Sequence, residues 1–388
     1  MTRRQFYGFT TISLSILLFL SACGGQAPSQ TLSPNTTVTQ SQRDVTYPGV
    51  DSVTLAGTLV IPAHQKGTRV PGVIIVAGSG PTDRNGNQPG GLTTNLYSQL
   101  ADQLAQQGIA SLRYDKRAVG ASSSFPRAQN PNQPTAAEIK ALQDFFAWDN
   151  YVGDARATLS ELQQQPEIDP ARTALIGHSE GSIIVGEVAA MDKGLAHLAH
   201  PAAALVLISA PGRPIDVILR EQIAHQLEQQ PTIPAGFVLS KLDEIFAGLR
   251  KTGKVPTAPF ADLKANSKVP TQLTQNLEVL FQPAYNEFWY GELQVDPAAT
   301  VKHYPGPVLV LQGAKDVQVF ATEDTPLLDA ALKSRNPDDH LIDIIPNTSH
   351  NMKLVQNPAT DPGIAGQVVL ECTNTLRRWL AEKLSASR

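Results

Sequence analysis

Short, unbroken apolar runs alternate with helix-period segments along most of this chain, and that alternation limits the fold more than any other feature. Val73-Ile74-Ile75-Val76 contains no polar residue at all. A strand with one wet face would alternate; a strand buried on both faces reads as a continuous apolar run. Ala110-Ser111-Leu112-Arg113, Thr173 to Gly177, Ala204 to Ile208, Val308 to Leu311 and Leu341 to Ile345 read as further strands. Helical spacing lies between them. Leu96, Leu100 and Leu104 recur four apart in a helix predicted over 96–107, and Val152, Ala155, Leu159 and Leu162 share one face of another over 151–164. Two more helices are predicted over 136–146 and 364–384. Strands alternating with helices predict a mostly parallel sheet covered on both faces. Val45 to Tyr47 and Val53 to Ile61 predict an antiparallel hairpin that opens the folded part, and 119–134 reads as a loop.

The alternation stops between about Pro211 and Pro305. That stretch holds at least three helix-like pieces, Ile215 to Glu228, Ala235 to Leu249 and Leu273 to Phe281, and no clear parallel-strand signal. It predicts a helical lid over 211–305, inserted after the sixth core strand, with the core formed by 44–210 and 306–388. The 388 residues, 41% of them hydrophobic, suffice for one large core with such an insertion. Phe237, Phe246, Phe260, Phe281, Phe288, Trp289 and Tyr290 either line an apolar acyl pocket or form the lid's own core. Net charge is −4 with no long basic run, which argues against a nucleic-acid partner.

Residues 1–22 have the form of an export signal. Arg3-Arg4 begins it, and Phe9 to Leu20 is apolar but too short to span a bilayer comfortably. Leu20-Ser21-Ala22-Cys23 then matches the pattern at which bacterial lipoproteins are cleaved and lipidated on cysteine. Cys23 is therefore expected to carry a membrane anchor outside the cytoplasm. Residues 23–43, rich in Ser, Thr, Gln, Pro and Asn, are expected to form a flexible tether. Cys372, in the last helical pattern, is expected to be a buried, inert thiol.

The chemistry centres on Gly177-His178-Ser179-Glu180-Gly181, which follows one predicted strand and precedes a helical run, Ser182 to Met191. Strand, Gly-x-Ser-x-Gly, helix is the setting of a nucleophile elbow, a sharp turn that exposes the serine hydroxyl. The glycines are needed because strand and helix pack closely there. A serine also needs a base and a group to orient that base. Asp316 lies just beyond the Val308–Leu311 run and His350 just beyond the Leu341–Ile345 run. Open α/β sheets collect ligands beyond the carboxyl ends of their strands, so Ser179, Asp316 and His350 are expected to meet at one sheet edge. Glu323 and Asp324 are rivals to Asp316 but lie farther from the strand end.

Taken together, four segments resemble the bacterial α/β-hydrolases of the serine-aminopeptidase and esterase type: Ala77-Gly78-Ser79-Gly80-Pro81-Thr82-Asp83-Arg84-Asn85-Gly86, Arg113-Tyr114-Asp115-Lys116-Arg117, the elbow, and the Asp316 and His350 segments. The chain order Ser, Asp, His is the order of that fold. The resemblance implies an α/β-hydrolase fold and an oxyanion hole built from the loop after Val73–Val76. Many relatives begin that loop with His-Gly, where this chain has Ala77-Gly78. The main-chain N–H groups of Ser79 and Glu180 are the expected donors. Asp83, Arg84, Asp115, Lys116 and Arg117 are expected to fix loops through ion pairs, although they could instead bind a charged substrate end. The Glu180 carboxylate suits the positive end of its helix, and His178 is expected to point away from the nucleophile.

The expected activity is hydrolysis of small carboxylic esters through an acyl-enzyme, with no cofactor. Hydrolysis of short peptides by the same triad is the alternative, and it would need a carboxylate such as Glu180, Asp243 or Glu244 to hold a substrate amine. A non-catalytic surface lipoprotein on a hydrolase scaffold is the third possibility. An aspartate at the elbow would have pointed to dehalogenase or epoxide-hydrolase chemistry; here the residue is serine. His197 and His200 stand three apart without supporting Cys or acidic ligands, so no zinc site is expected, and no Gly-rich phosphate loop is present.

Overall fold

The computed structural model describes residues 37–388 apart from 131–132, 191–199, 336–338, 358–360 and 386–388. The signal sequence, Cys23, His197 and the tether up to residue 36 lie outside the described residues.

Eight strands form the main sheet: β1 (Ser41–Pro48), β2 (Thr54–Ile61), β3 (Val70–Val76), β4 (Ala110–Tyr114), β5 (Ile168–His178), β6 (Ala204–Ile208), β7 (Val308–Gly313) and β8 (His340–Ile345). Their spatial order is β8-β7-β6-β5-β3-β4-β2-β1. All neighbours from β4 to β8 pair in parallel, and β2 pairs antiparallel with both β1 and β4. The chain leaves β3 for β4 on one side, then returns past β3 to β5 on the other. This reversal puts the switch point of the sheet between the carboxyl ends of β3 and β5, where α/β sheets place their ligands.

The unbroken apolar runs have the expected cause. In β6, Leu205 and Leu207 join one buried cluster, while Ala204, Val206 and Ile208 join another on the opposite face. The first face is covered by α3 (Trp148–Gln164) and α4 (Glu180–Ala190), the second by α1 (Leu96–Gln106) and α12 (Leu370–Lys383). A short helix, α2 (Ala136–Phe145), opens with a capping box in which Thr135 and Glu138 satisfy each other's main-chain amides.

Six α-helices stand between β6 and β7: α5 (Ile215–Glu228), α6 (Ala235–Thr252), α7 (Ala258–Ala265), α8 (Thr271–Leu280), α9 (Asn286–Glu292) and α10 (Pro297–Val301). Helix α11 (Ala321–Lys333) follows β7. The insertion has its own apolar cluster, with Val238, Leu242, Ile245, Phe246, Leu249, Phe281 and Trp289 buried. Phe281 packs edge-on against Phe246 and at a tilt against Trp289, and Phe288 packs edge-on against Trp148 and Tyr151 of α3. These aromatics make the insertion's core and its seam with the sheet domain, while Tyr290 is exposed.

Three boundaries differ from the sequence reading. Ordered structure begins before residue 44: Thr37–Val38 pair with His64–Gln65, and β1 starts at Ser41. Main-chain pairing, with Arg43 bridging to Glu167 at 2.9 Å, holds this polar segment without any apolar signal. Strand β5 begins five residues earlier than Thr173, reaching across Pro170 to Ile168. Helix α12 starts at Leu370, because Gly363 and Gly366 adopt positive φ and interrupt the helical pattern.

Candidate active site

Ser179 stands at the junction of β5 and α4 with φ of 55°. A left-handed backbone costs a non-glycine residue energy, so packing must hold it there. The flanking glycines show how close that packing is. A Cβ on Gly177 would overlap the Gly181 carbonyl, and a Cβ on Gly181 would overlap the carbonyl of Val76 in β3. Gly78 in the loop after β3 presses equally close: its missing Cβ would lie 3.0 Å from Cβ of Ser179.

Asp316 and His350 meet as expected. His350 Nδ1 lies 2.8 Å from Asp316 Oδ2. Since the carboxylate can only accept, Nδ1 carries the hydrogen, and Nε2 is the other ring nitrogen, not bonded to Asp316. The carboxylate is itself tightly held: Oδ1 accepts from the main-chain amides of Gln318 and Val319 at 2.8 and 3.0 Å, and Oδ2 accepts from Gln312 Nε2 at 3.0 Å. Asp324, the rival acid, is turned elsewhere and bonds the Gly212 amide and Arg213.

Among the described residues no hydrogen bond joins the Ser179 hydroxyl to His350. The link between their segments runs through His178. His178 adjoins Ser179 in sequence, its ring centroid lies 4.8 Å from that of His350, and its Nε2 lies 2.9 Å from the His350 carbonyl. Only an Nε2–H can donate to a carbonyl, so Nδ1 of His178 is the acceptor, and it receives the Tyr97 hydroxyl at 3.0 Å. That hydroxyl in turn accepts the Gly78 N–H at 3.0 Å. His178 is thus kept neutral: burial first, then the neighbouring His350, pushes its pKa down to about 3. Ser209, at φ of 48°, donates a second bond to the His350 carbonyl at 2.8 Å.

The Tyr97 bond also sorts the candidate oxyanion donors. Gly78 N–H is occupied, whereas the amides of Ser79 and Glu180 have no hydrogen-bond partner among the described residues. Glu180 N–H is one of the free donors at the start of α4, where the helix favours negative charge.

The charged loop residues are paired. Asp115 bonds Arg84 at 2.8 Å, Arg117 bonds Asp154 at 2.9 Å with both side chains nearly sealed, and Lys116 bonds Glu180 at 3.2 Å. Asp83 accepts the amides of Asn85 and Asn87. Among the described residues no group of three or more His, Cys, Asp or Glu side chains is gathered to hold a metal ion.

A profile of the alpha/beta hydrolase family matches residues 73–360, which span the elbow, Asp316 and His350. The chain belongs to the alpha/beta hydrolase family. Esterase EstD of Thermotoga maritima is 25% identical over 279 residues, 72% of this chain and 52% of the relative. An uncharacterized Mycobacterium tuberculosis protein is 33% identical over 165 residues, 42% of this chain and 48% of the relative. The chain therefore spans about half the length of the curated relatives it matches. Among solved structures, the alpha/beta hydrolase GrgF from Penicillium sp. sh18 superposes with a TM-score of 0.52 at 16% identity, over 89% of this chain and all of that one. Esterase PF2001 of Pyrococcus furiosus gives 0.50 at 16% identity, over 89% and 92%. At such identities the likeness speaks to the fold alone, and the fold is the α/β-hydrolase fold.

Sequence reasoning did not find the parts of the candidate site that act through other residues. Tyr97 lies outside the Leu96, Leu100 and Leu104 spacing that marks α1 and carries no signal of its own. His178 was expected to point away from Ser179, and it has no bond to that hydroxyl, but its ring ties the β3 loop to the His350 loop. A buried histidine next to the nucleophile was the available signal.

Proposed function

We propose that this protein is a serine hydrolase of carboxylic esters. One observation carries the reading: the Asp316–His350 pair, in which the carboxylate holds Nδ1–H, is tied by His178 to a serine held in a left-handed elbow. In this mechanism His350 Nε2 takes the Ser179 proton as Oγ attacks the ester carbonyl. Asp316 fixes the tautomer and stabilises the imidazolium. The amides of Ser79 and Glu180 receive the developing oxyanion. His350 then protonates the leaving alkoxide, and water, deprotonated by His350, releases the acid from the acyl-enzyme.

Esters are favoured over peptides by the state of the carboxylates that peptide recognition would use. Glu180 is bonded to Lys116, Asp243 to Arg220 and Glu244 to Lys241. The matched relative's name, an esterase, points the same way. The helices between β6 and β7 would act as a lid that sizes the acyl group. We also infer that residues 1–22 direct export and that Cys23 is lipidated, anchoring the enzyme outside the cytoplasmic membrane through the segment before β1. Loss of fatty-acid labelling in Cys23→Ser would test the anchor.

The deciding experiment records hydrolysis of p-nitrophenyl esters from acetate to laurate beside aminoacyl-p-nitroanilides, with Ser179→Ala as control. Ester turnover that vanishes in the variant is expected. Anilide turnover above ester turnover would make the enzyme a peptidase, and equal rates in both proteins would leave a binding scaffold.

A further inference from the structure

The Gly78–Ser79 peptide is gripped from its far side by a buried cation. Lys116 Nζ lies 2.6 Å from the Gly78 carbonyl oxygen. That carbonyl and the Ser79 N–H belong to one planar unit and point in opposite directions. We propose that Lys116 is a positioning residue of the oxyanion hole, holding the Gly78 carbonyl so that the Ser79 N–H is aimed and polarised toward the reacting carbonyl. The proposal rests on the serine-hydrolase reading above and deepens it.

Three observations support it. The lysine side chain is 4% exposed, so its charge acts with little screening by water. A cation at the oxygen draws electron density from the peptide and makes its N–H a stronger donor, as in charge-assisted hydrogen bonds. The neighbouring Ala77–Gly78 peptide is held as well, because its Gly78 N–H bonds Tyr97. Both peptides that flank the Gly78 Cα are therefore tied, and the Ser79 N–H is the free donor.

The anchor of the lysine extends the argument. Lys116 Nζ also bonds Glu180 Oε1 at 3.2 Å, and the Glu180 side chain is 6% exposed. Glu180 supplies the second main-chain donor. One residue thus provides one oxyanion amide and, through its carboxylate, steadies the cation that orients the other. A loop-fixing ion pair would need no contact with the Gly78 carbonyl.

The test compares wild type, Lys116→Met, Lys116→Arg and the double variant Lys116→Met/Glu180→Gln on a p-nitrophenyl ester, with a trifluoromethyl ketone as tetrahedral analogue and Ser179→Ala as control. Lys116→Met is expected to lower kcat about 10- to 100-fold, less than full loss of an oxyanion donor, with KM within about twofold. Ketone affinity should fall by the same factor as kcat/KM, and Lys116→Arg should recover part of both. Where Lys116→Met fails to fold because Glu180 is stranded, the double variant is read in its place, having no buried unpaired charge. A folded variant with wild-type kcat and ketone affinity, or one whose loss lies wholly in KM or melting temperature, would overturn the proposal alone. Wild type no faster than Ser179→Ala would overturn the serine-hydrolase reading, and this proposal with it.

Discussion

His178 donates its Nε2–H to the main-chain carbonyl of His350 at 2.9 Å, so the residue before the elbow serine holds the loop that carries His350. Protonation would leave that bond in place but break the other one, since a protonated Nδ1 could no longer accept the Tyr97 hydroxyl.

The first prediction concerns acid stability. The folded-state pKa of His178 is depressed to about 3 from 6.5, so the unfolded chain binds more protons between those values. The stability that His178 contributes is full above about pH 6.5 and is lost as pH falls toward 3. At about 1.4 kcal/mol per pH unit the loss reaches up to about 5 kcal/mol. Replacing the ring in His178→Gln removes this titration. Its melting temperature, though lower at pH 7, should decline less steeply than that of wild type between pH 6.5 and pH 4. Parallel curves would show that His178 does not titrate in that window.

The elbow glycines set a second expectation. In Gly181→Ala the new methyl has nowhere to go but into the Val76 carbonyl, so α4 must move off β3. Overpacking of this kind costs about 3 kcal/mol or more, and it falls at the serine itself. Melting temperature and ester turnover should drop together. A variant with normal melting and normal turnover would show that α4 has slack the geometry does not allow.

Asp316→Asn separates orientation from fold. Asn keeps an oxygen for the amides of Gln318 and Val319, but its NH2 would face His350 and favour the opposite tautomer. Turnover should fall about 10³- to 10⁴-fold with little change in melting temperature. A loss below about tenfold would move the acid role to another residue.

How much of this was legible in the sequence depends on the kind of signal. Strands β3, β6 and β7 declared themselves because burial on both faces forces continuous apolar runs. Ser179, Asp316 and His350 stood out as candidates because each sits just past a strand end, where chain order and sheet geometry coincide. The first residues of β1 were missed because Ser41, Gln42 and Arg43 are held by main-chain pairing, which leaves no mark in hydropathy. Tyr97 and Lys116 were not legible in their roles. Their partners lie 19 and 38 residues away on the same loop, and the spacing of one chain does not encode such contacts.

The insertion has its own anchor, and it gives a fourth prediction. Asp324 of α11 is fully buried and accepts the Gly212 amide at 2.9 Å and Arg213 Nη2 at 2.7 Å, at the point where the chain leaves the sheet for α5. Asp324→Ala leaves the Gly212 amide unpaired and Arg213 with Glu221 as its remaining carboxylate, a loss of up to about 3 kcal/mol for a buried pair only partly broken. Melting temperature should fall and limited proteolysis should cut near residues 211–214. Unchanged proteolysis would mean that the helices are held by their seam with α3 instead.

Glu292 gives the last prediction, and its sign is opposite to that of His178. It lies on α9 at 1% exposure, and neither carboxyl oxygen has a hydrogen-bond partner. Burial drives its pKa well above 4.5, Glu180 and Glu187 push the same way, and only Lys116 opposes them. The folded protein therefore binds this proton more tightly than the unfolded chain. As pH rises above about 4.5 toward the folded-state value, wild type loses stability that Glu292→Gln, with nothing to ionise, retains. Across pH 5 to 9 the melting temperature of Glu292→Gln should gain steadily on that of wild type. A constant difference over that range would mean that Glu292 is ionised throughout and that a cation or water reaches it. A growing difference would mean that the seam between α9 and the sheet domain is closed over a neutral acid, beside the ion pair that Lys116 makes with Glu180.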